Sequence, residues 1–555
     1  MFDLLPPTAL LLTAAAAVAV LPRRVGHVLA ALAALALLPW LFVVPAGEHA
    51  ALSLLGFDSA LFRVDALSRL VGLVFGLVTG ANVLYALGSG TSRRTTALAL
   101  VYAAASLGAV FAGDWLALVV HWEAMALAAT VLLWDGGGEA RTAGTRYAIY
   151  HQVGGACLLA AVLLRYASVG TFAFEGGFGA GLAGLLAAVG VGVNVGFLGL
   201  HVWIPDAYPT PGVAVSAVLC GLTTKVGVYA LARAAPEGSL VVAYLGAAML
   251  VVGVTLAILQ TDVRRLLSYH IVSQVGYMVA GVGLGSALGT AGAFAHLVNN
   301  VLYKTLLFMV AGVLVLRTGH EGLKALHGVG RRMPLAAAAY LVAALAIVGT
   351  PGLAGYVSKA VVVDAAGKAG EPLLRWTLSL GGVGTVVSFA KFGYYAFYRT
   401  DGGTPAEARD ATAPQAAGMA LLAVPVVVFG LLPGTLVGLL PGEVTTSLLS
   451  PAKLAETVGI LLGGAVLFLA ARSTLARVPA VPDLDALYRP AGRTLWRAVP
   501  RGVAAGGAAV ERGYARVTVR AYRVATGAGD RRVPLDTALL WVVLSLAVGL
   551  TVLLL

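Results

Sequence analysis

Of the 37 basic residues in this 555-residue chain, seven are lysine, and Lys225, Lys304, Lys359 and Lys391 stand inside apolar segments. A charge at the centre of a bilayer costs roughly 2.5–3.5 kcal/mol on insertion scales, so four of them need a use. Arginine keeps its proton in a protein. A lysine taken out of water can release it, because desolvation disfavours the ammonium. A chain this rich in arginine that keeps lysine at these depths holds side chains suited to passing protons. The competing reading is snorkelling to an interface or a fixed ion pair, and it weighs most for Lys391, near the end of its segment.

Glu123, in His121-Trp122-Glu123, falls midway along another apolar segment. Alone in a bilayer its carboxyl would be protonated and silent. Opposite a lysine it would ionise, with a charge that depends on whether that lysine holds a proton. His296 and Lys304, eight residues apart, share one helix face with Asn300 between them. Histidine titrates near neutrality and suits a relay. A lone buried histidine is more often just hydrogen-bonded, so His27, His49, His320 and His327 receive no role.

The elements that hold these groups must be membrane helices. Apolar residues make up 59% of the chain, charged residues 11%, and the mean hydropathy is +0.91. A soluble domain would need more polar surface, and apolar runs of about 18 residues or more recur throughout, each able to span a bilayer. The fold class expected is an all-α polytopic membrane protein with about 14–16 transmembrane helices. Cys157 and Cys220 stand alone, without a CxxC pair or Cys/His cluster, and there is no Walker loop or dinucleotide-binding turn. No cofactor or metal is therefore expected, and no redox or ATP chemistry of the chain's own.

Spans are expected near 8–22, 26–45, 66–88, 96–113, 115–134, 147–167, 181–203, 212–234, 240–260, 268–286, 288–316, 334–365, 376–399, 415–440, 455–472 and 536–555. Gly349-Thr350-Pro351-Gly352 would break the 334–365 stretch in mid-membrane. The first 22 residues lack a basic start and precede Arg23-Arg24, which reads as a first span and not a cleaved signal. Arg23/Arg24, Arg93/Arg94, Arg141/Arg146, Arg264/Arg265 and Arg317/Lys324/Arg331/Arg332 follow odd-numbered spans. By the positive-inside rule those loops are cytoplasmic and both termini lie outside.

Residues 476–532 carry eleven arginines against four acids and supply +7 of the +12 net charge. Arg489, Arg493, Arg497 and Arg501, then Arg512, Arg516 and Arg520, repeat every four residues, forming a basic stripe beside Trp496, Tyr514 and Val517. Such a segment reads as an amphipathic helix lying on the cytoplasmic face, weakened centrally by Gly502, Gly506, Gly507 and Gly513 and anchored by a terminal span over 533–555.

Several stretches carry a family resemblance. They are Val64-Asp65-Ala66-Leu67-Ser68-Arg69-Leu70, Trp122-Glu123, His201-Val202-Trp203-Ile204-Pro205-Asp206-Ala207-Tyr208-Pro209 and Gly221-Leu222-Thr223-Thr224-Lys225-Val226-Gly227-Val228-Tyr229. Asp262-Val263-Arg264-Arg265-Leu266-Leu267, Ser273-Gln274-Val275-Gly276-Tyr277, Tyr303-Lys304-Thr305-Leu306-Leu307-Phe308 and Gly355-Tyr356-Val357-Ser358-Lys359 continue it. Over about residues 60–400 the chain resembles the proton-translocating antiporter-like family of Mrp-type antiporter large subunits and complex I membrane-arm subunits. It looks most like the D-type Mrp subunit.

The resemblance implies two inverted five-helix repeats, 96–234 and 240–399, each with a broken helix. They would be flanked by N-terminal helices (1–95) and C-terminal helices (400–475). It also implies a line of charge along the membrane midplane: Glu123 and Lys225 in the first half-channel, His296 and Lys304 as central relay, and Lys359 as exit-side lysine. Asn194, Asn300, His201 and Lys391 are relay or lining candidates. The family normally has a lysine at the Asn194 position, as partner of Glu123, and often a second histidine at Asn300; asparagine cannot carry a proton. Lys225 could serve Glu123 if it reaches it.

The functional expectation is a proton-conducting subunit of a multisubunit Na+/proton antiporter in a prokaryotic cell membrane. Its partners would be other subunits, the lipid bilayer, protons and Na+, with no role for nucleic acid and no enzymatic reaction of its own. The alternatives are a pumping subunit of a complex I-like oxidoreductase or membrane hydrogenase, or a non-pumping scaffold.

Overall fold

The computed structural model describes residues 6–54, 57–326, 328–399 and 408–475, with the isolated positions 477 and 486. The chain divides into two units. One, Met1–Ala50 and Ala60–Val481, holds all the named helices. The other groups Ala51–Ser59 with Pro482–Leu555. The basic amphipathic segment expected over 476–532 and the span expected over 533–555 lie outside the described residues, save those two positions.

In chain order the elements begin α1 (Pro7–Val20), α2 (Arg23–Val43), β1 (Gly47–Leu54), β2 (Phe57–Val64), α3 (Ala66–Gly88), α4 (Arg93–Phe111), α5 (Trp115–Asp135) and α6 (Gly138–Val169). Next come α7 (Leu182–Val195), α8 (Trp203–Ala207), α9 (Val213–Ala234), α10 (Leu240–Leu259), α11 (Val263–Gly283) and α12 (Ala287–Thr318). The remainder are α13 (Pro334–Val348), α14 (Ala354–Lys368), α15 (Pro372–Gly393), continued by a π turn at Tyr394–Tyr398, then α16 (Ala413–Leu431), α17 (Pro433–Val437) and α18 (Pro451–Leu475). Every expected span except 536–555 overlaps these helices, but 181–203, 334–365 and 415–440 each take in two of them. Eleven among the described residues are long and apolar enough to cross a membrane. The β1–β2 pair was not anticipated.

Short polar residues start the helices where the chain leaves water. Asp65 accepts from the Ser68 amide (3.0 Å) to cap α3, Asp114 from Ala117 (2.8 Å) to cap α5, and Ser286 from Gly289 (3.1 Å) to cap α12. Two helices stop in mid-bundle. At Gly196 (φ +82°) α7 ends and the chain turns into the short α8; at Gly349 (φ +91°) α13 ends and α14 resumes at Ala354. Both turns need a left-handed residue, which glycine supplies without steric cost. The second break falls where Gly349-Thr350-Pro351-Gly352 placed it. The first lies inside a stretch expected to be one span.

Lipid offers no hydrophobic drive between helices, so close contact must hold them. α10 and α11 show how: a Cβ added to Gly246 would lie 2.5 Å from the Ala280 nitrogen, and one on Gly276 2.4 Å from the Gly246 oxygen. Ala243, Ala247 and Leu250 of α10 meet Tyr277 and Ala280 of α11, Val362 and Ala366 of α14, and Leu374 and Leu378 of α15 in one buried cluster. α9 is buried at every residue from Val213 to Leu231, whereas α18 is largely exposed along an apolar surface.

Candidate functional site

Lys359 sits on the second turn of α14, and its ammonium reaches back across the break. Nζ donates to the Ile347 carbonyl of α13 (2.6 Å) and lies 5.3 Å from the centre of the Tyr277 ring. The last carbonyls of a helix have no partner in the helix and carry its negative dipole end, so a cation there answers both needs. Tyr277 is itself fixed by donating to the Leu378 carbonyl (2.7 Å).

Ser358, beside Lys359, lies 3.0 Å from His296 Nδ1, and the Tyr303 hydroxyl lies 3.4 Å from His296 Nε2. The Tyr277 and His296 rings are 5.0 Å apart. One residue on from Tyr303, the fully buried Lys304 has no hydrogen-bond partner among the described residues and lies 5.6 Å over the Phe389 ring. Phe389 also carries His270 against it at 4.8 Å. Thr305 lies 3.8 Å from Cys220 Sγ, and the Cys220 carbonyl accepts from Lys225 Nζ (2.8 Å). The structure thus brings Lys225, Lys304, His296 and Lys359 into a buried series running from α9 through α12 to α14.

Glu123 stands apart from that series. Its half-buried carboxylate accepts from Gln152 (3.1 Å) and lies against Gly155, where a Cβ would sit 1.7 Å from Oε1. Lys225 does not reach it, being turned to Cys220; no ion pair joins Glu123 to a base among the described residues. Asn194 and Asn300 are fully buried, and among the described residues neither side-chain polar atom of either has a hydrogen-bond partner. His201 is buried just before α8, where its carbonyl accepts from Ile204 (2.9 Å). Lys391 donates to the Ile258 and Gln260 carbonyls (2.7 Å each), which makes it the cap of α10.

Sequence reasoning passed over several polar groups. His151 and His270 are fully buried histidines on α6 and α11. A cleft of about 80 Å³, room for several waters, opens beside Lys359 between α14, α15 and α18. Arg375 meets Glu456 there (2.7 Å), Ser379 donates to Glu456 (2.7 Å), and Lys453 meets Asp364 (3.2 Å). These partners come from segments distant in sequence, which leaves no local signal beyond a charge within an apolar run.

The fold and the site define a polytopic all-α membrane protein with ionisable side chains in series inside its helix bundle. The chain is a member of the proton-translocating antiporter-like family, for residues 112–387 match the family described as NADH:quinone oxidoreductase/Mrp antiporter, TM. It is 32% identical over 318 residues to NADH-quinone oxidoreductase subunit N of Desulforudis audaxviator, covering 53% of this chain and 62% of the relative. It is 31% identical over 317 residues to the D-type Na(+)/H(+) antiporter subunit of Alkalihalophilus pseudofirmus, covering 52% of this chain and 63% of the relative. The chain spans less than two thirds of the length of these curated relatives. A chain of the membrane-bound sulfane sulfur reductase, an archaeal respiratory membrane complex, has the same fold, with TM-score 0.72 at 22% identity, covering 99% of this chain and 100% of that one.

Proposed function

We propose that the chain is the proton-conducting subunit of a multisubunit antiporter that exchanges Na+ or another monovalent cation for protons. The observation that carries this reading is the buried series Lys225, Lys304, His296, Lys359. Each member is a base within a bundle of apolar helices; the hydroxyls of Ser358 and Tyr303 each meet one ring nitrogen of His296, and the Thr305 hydroxyl meets Cys220, whose carbonyl holds Lys225. A proton leaving Lys359 for the adjoining cleft leaves a neutral amine. His296 can then refill that amine by releasing a proton at the ring nitrogen that faces Ser358 while it takes one up at the nitrogen that faces Tyr303, with Lys304 as the source across intervening water. Hydroxyls suit such steps because each both donates and accepts. Lys391, committed to the end of α10, serves as a structural cap. Residues 96–234 and 240–399 are taken as the two repeats, each with one interrupted helix, and the odd-numbered loops as cytoplasmic.

The test is proton-coupled cation exchange by the whole assembly in vesicles. K304A and K359A are each expected to abolish it, and native exchange in both would sink the reading.

A second reading is a proton-pumping subunit of a redox-driven membrane complex. It is favoured by the whole-length likeness to a chain of the archaeal respiratory complex. The neighbouring genes discriminate, since redox subunits would bring iron–sulfur ligands and an antiporter would bring small membrane subunits.

A further inference from the structure

Among the described residues Glu123 has no amine beside it, Lys225 is turned to the Cys220 carbonyl, and Asn194 cannot take up a proton, so the first half of the bundle lacks an evident carrier between Glu123 and Lys225. One buried group there remains unassigned. His151 is fully buried on α6, its ring stacked on Tyr147 at 3.7 Å and edge-on to Trp203 at 4.6 Å. Nδ1 lies 2.9 Å from the Tyr147 carbonyl. A carbonyl only accepts, so Nδ1 carries the hydrogen, and the lone pair is on Nε2. Nε2 is buried and has no partner among the described residues.

The register of α6 places this base between the other polar groups. Gly155, against which the Glu123 carboxylate packs, is four residues on from His151 and therefore on the same helix face, one turn away. Gly154, three residues on, packs against Val193, beside Asn194; a Cβ there would lie 2.9 Å from Val193 Cβ. Trp203, edge-on to His151, donates to the Val193 carbonyl (2.8 Å). Toward α9, the Tyr147 hydroxyl lies 3.3 Å from Thr223 Oγ1, which bonds Tyr102 at 2.6 Å, two residues before Lys225. His151 Nε2 and both ends of the Asn194 amide are thus buried without partners among the described residues, and Trp203 touches the first and bonds the residue before the second. Buried polar groups need partners, and a polar site of this kind takes up water.

We propose that His151 is the proton carrier of the first half, receiving at Nε2 and standing between Glu123 and the Thr223–Lys225 turn of α9. The proposal rests on the proton-conducting reading above. If His151 merely packs, its ring matters and its basicity does not.

The test uses the native assembly in vesicles, reading proton transport, with co-purification of the partner subunits as the check on folding. H151Q is expected to cut transport about tenfold or more, the order expected for one lost proton-transfer group. Adding N194K to H151Q restores most of it, because an amine there can hold the proton. Unchanged transport in H151Q overturns the proposal, and so does an assembled H151Q that N194K fails to restore. If H151Q does not assemble, N194K alone decides. A first half that already has its carrier gains nothing from it, whereas a several-fold rise overturns the proposal. K304A and K359A measured alongside separate the two levels. If they are inactive while H151Q is native, only the role of His151 falls; if they too are native, the proton-conducting reading falls.

Discussion

Two side chains outside the amine series lend themselves to direct tests. Ser358 meets His296 and precedes Lys359 in the chain, and S358A removes its bonds to His296 and to the Gly355 carbonyl (3.3 Å), costing about 1–2 kcal/mol. Stability should therefore change little while transport falls several-fold; a transport loss no larger than the stability loss would argue against a relay through the hydroxyl. Asp262 lies in the loop before α11 and caps it through the Arg265 amide (2.7 Å). Burial, with the Glu321 carboxylate adding, outweighs that hydrogen bond and pushes the Asp262 carboxyl up to about 6. Folding thus favours the protonated form. Its contribution is fully present below the ordinary carboxylate value of 3.8 and is lost as pH rises through about 6. D262N keeps a capping side chain and cannot titrate, so it should melt above the native protein at pH 7 and gain less, or nothing, at pH 4. Parallel melting curves across that range would rule this out.

The two interrupted helices show what sequence can and cannot reveal. The break at Gly349 was legible because two glycines and a proline interrupt an apolar run. The break at Gly196 was not, because Gly192-Val193-Asn194-Val195-Gly196 continues the hydropathy of its span, and the close approach of α9 there, where a Cβ on Gly227 would lie 2.6 Å from the Val195 nitrogen, leaves no local signal. Lys225, Lys304 and Lys359 stood out because a charge in an apolar run is costly. His151 did not, since nothing local separates a relay histidine from a packed one. G349A is expected to cost about 1–2 kcal/mol, the strain of a left-handed alanine. The new Cβ would also touch Lys359, lying 3.4 Å from its Cδ. Thermal unfolding in detergent and vesicle transport should both fall. An alanine variant as stable as native would mean that the turn does not require this conformation.

For the molecule as a whole, class and family could be read from hydropathy and motifs, while the packing that pairs α14 and α15 with α18 could not. The cleft beside Lys359 draws on residues from Tyr277 to Ile460, so no window of sequence contains it. Orientation can be tested on exposed loops. After replacement of Cys157 and Cys220, R94C should react with an impermeant thiol reagent only from the cytoplasmic side and E237C only from the opposite side. Labelling of both from one side would overturn the assigned sidedness.

Because the Ile347 carbonyl is held by a side chain rather than by a backbone amide, the joint between α13 and α14 is charge-dependent. On the proposed reading, release of the Lys359 proton removes the cation that answers the dipole of the helix end and leaves only a neutral amine on the Ile347 carbonyl, so the joint would weaken as the site empties. Refilling draws the two half-helices together again. Conduction and backbone movement would then be a single event, and a bulky group wedged at the hinge should stall protons without touching any titrating atom.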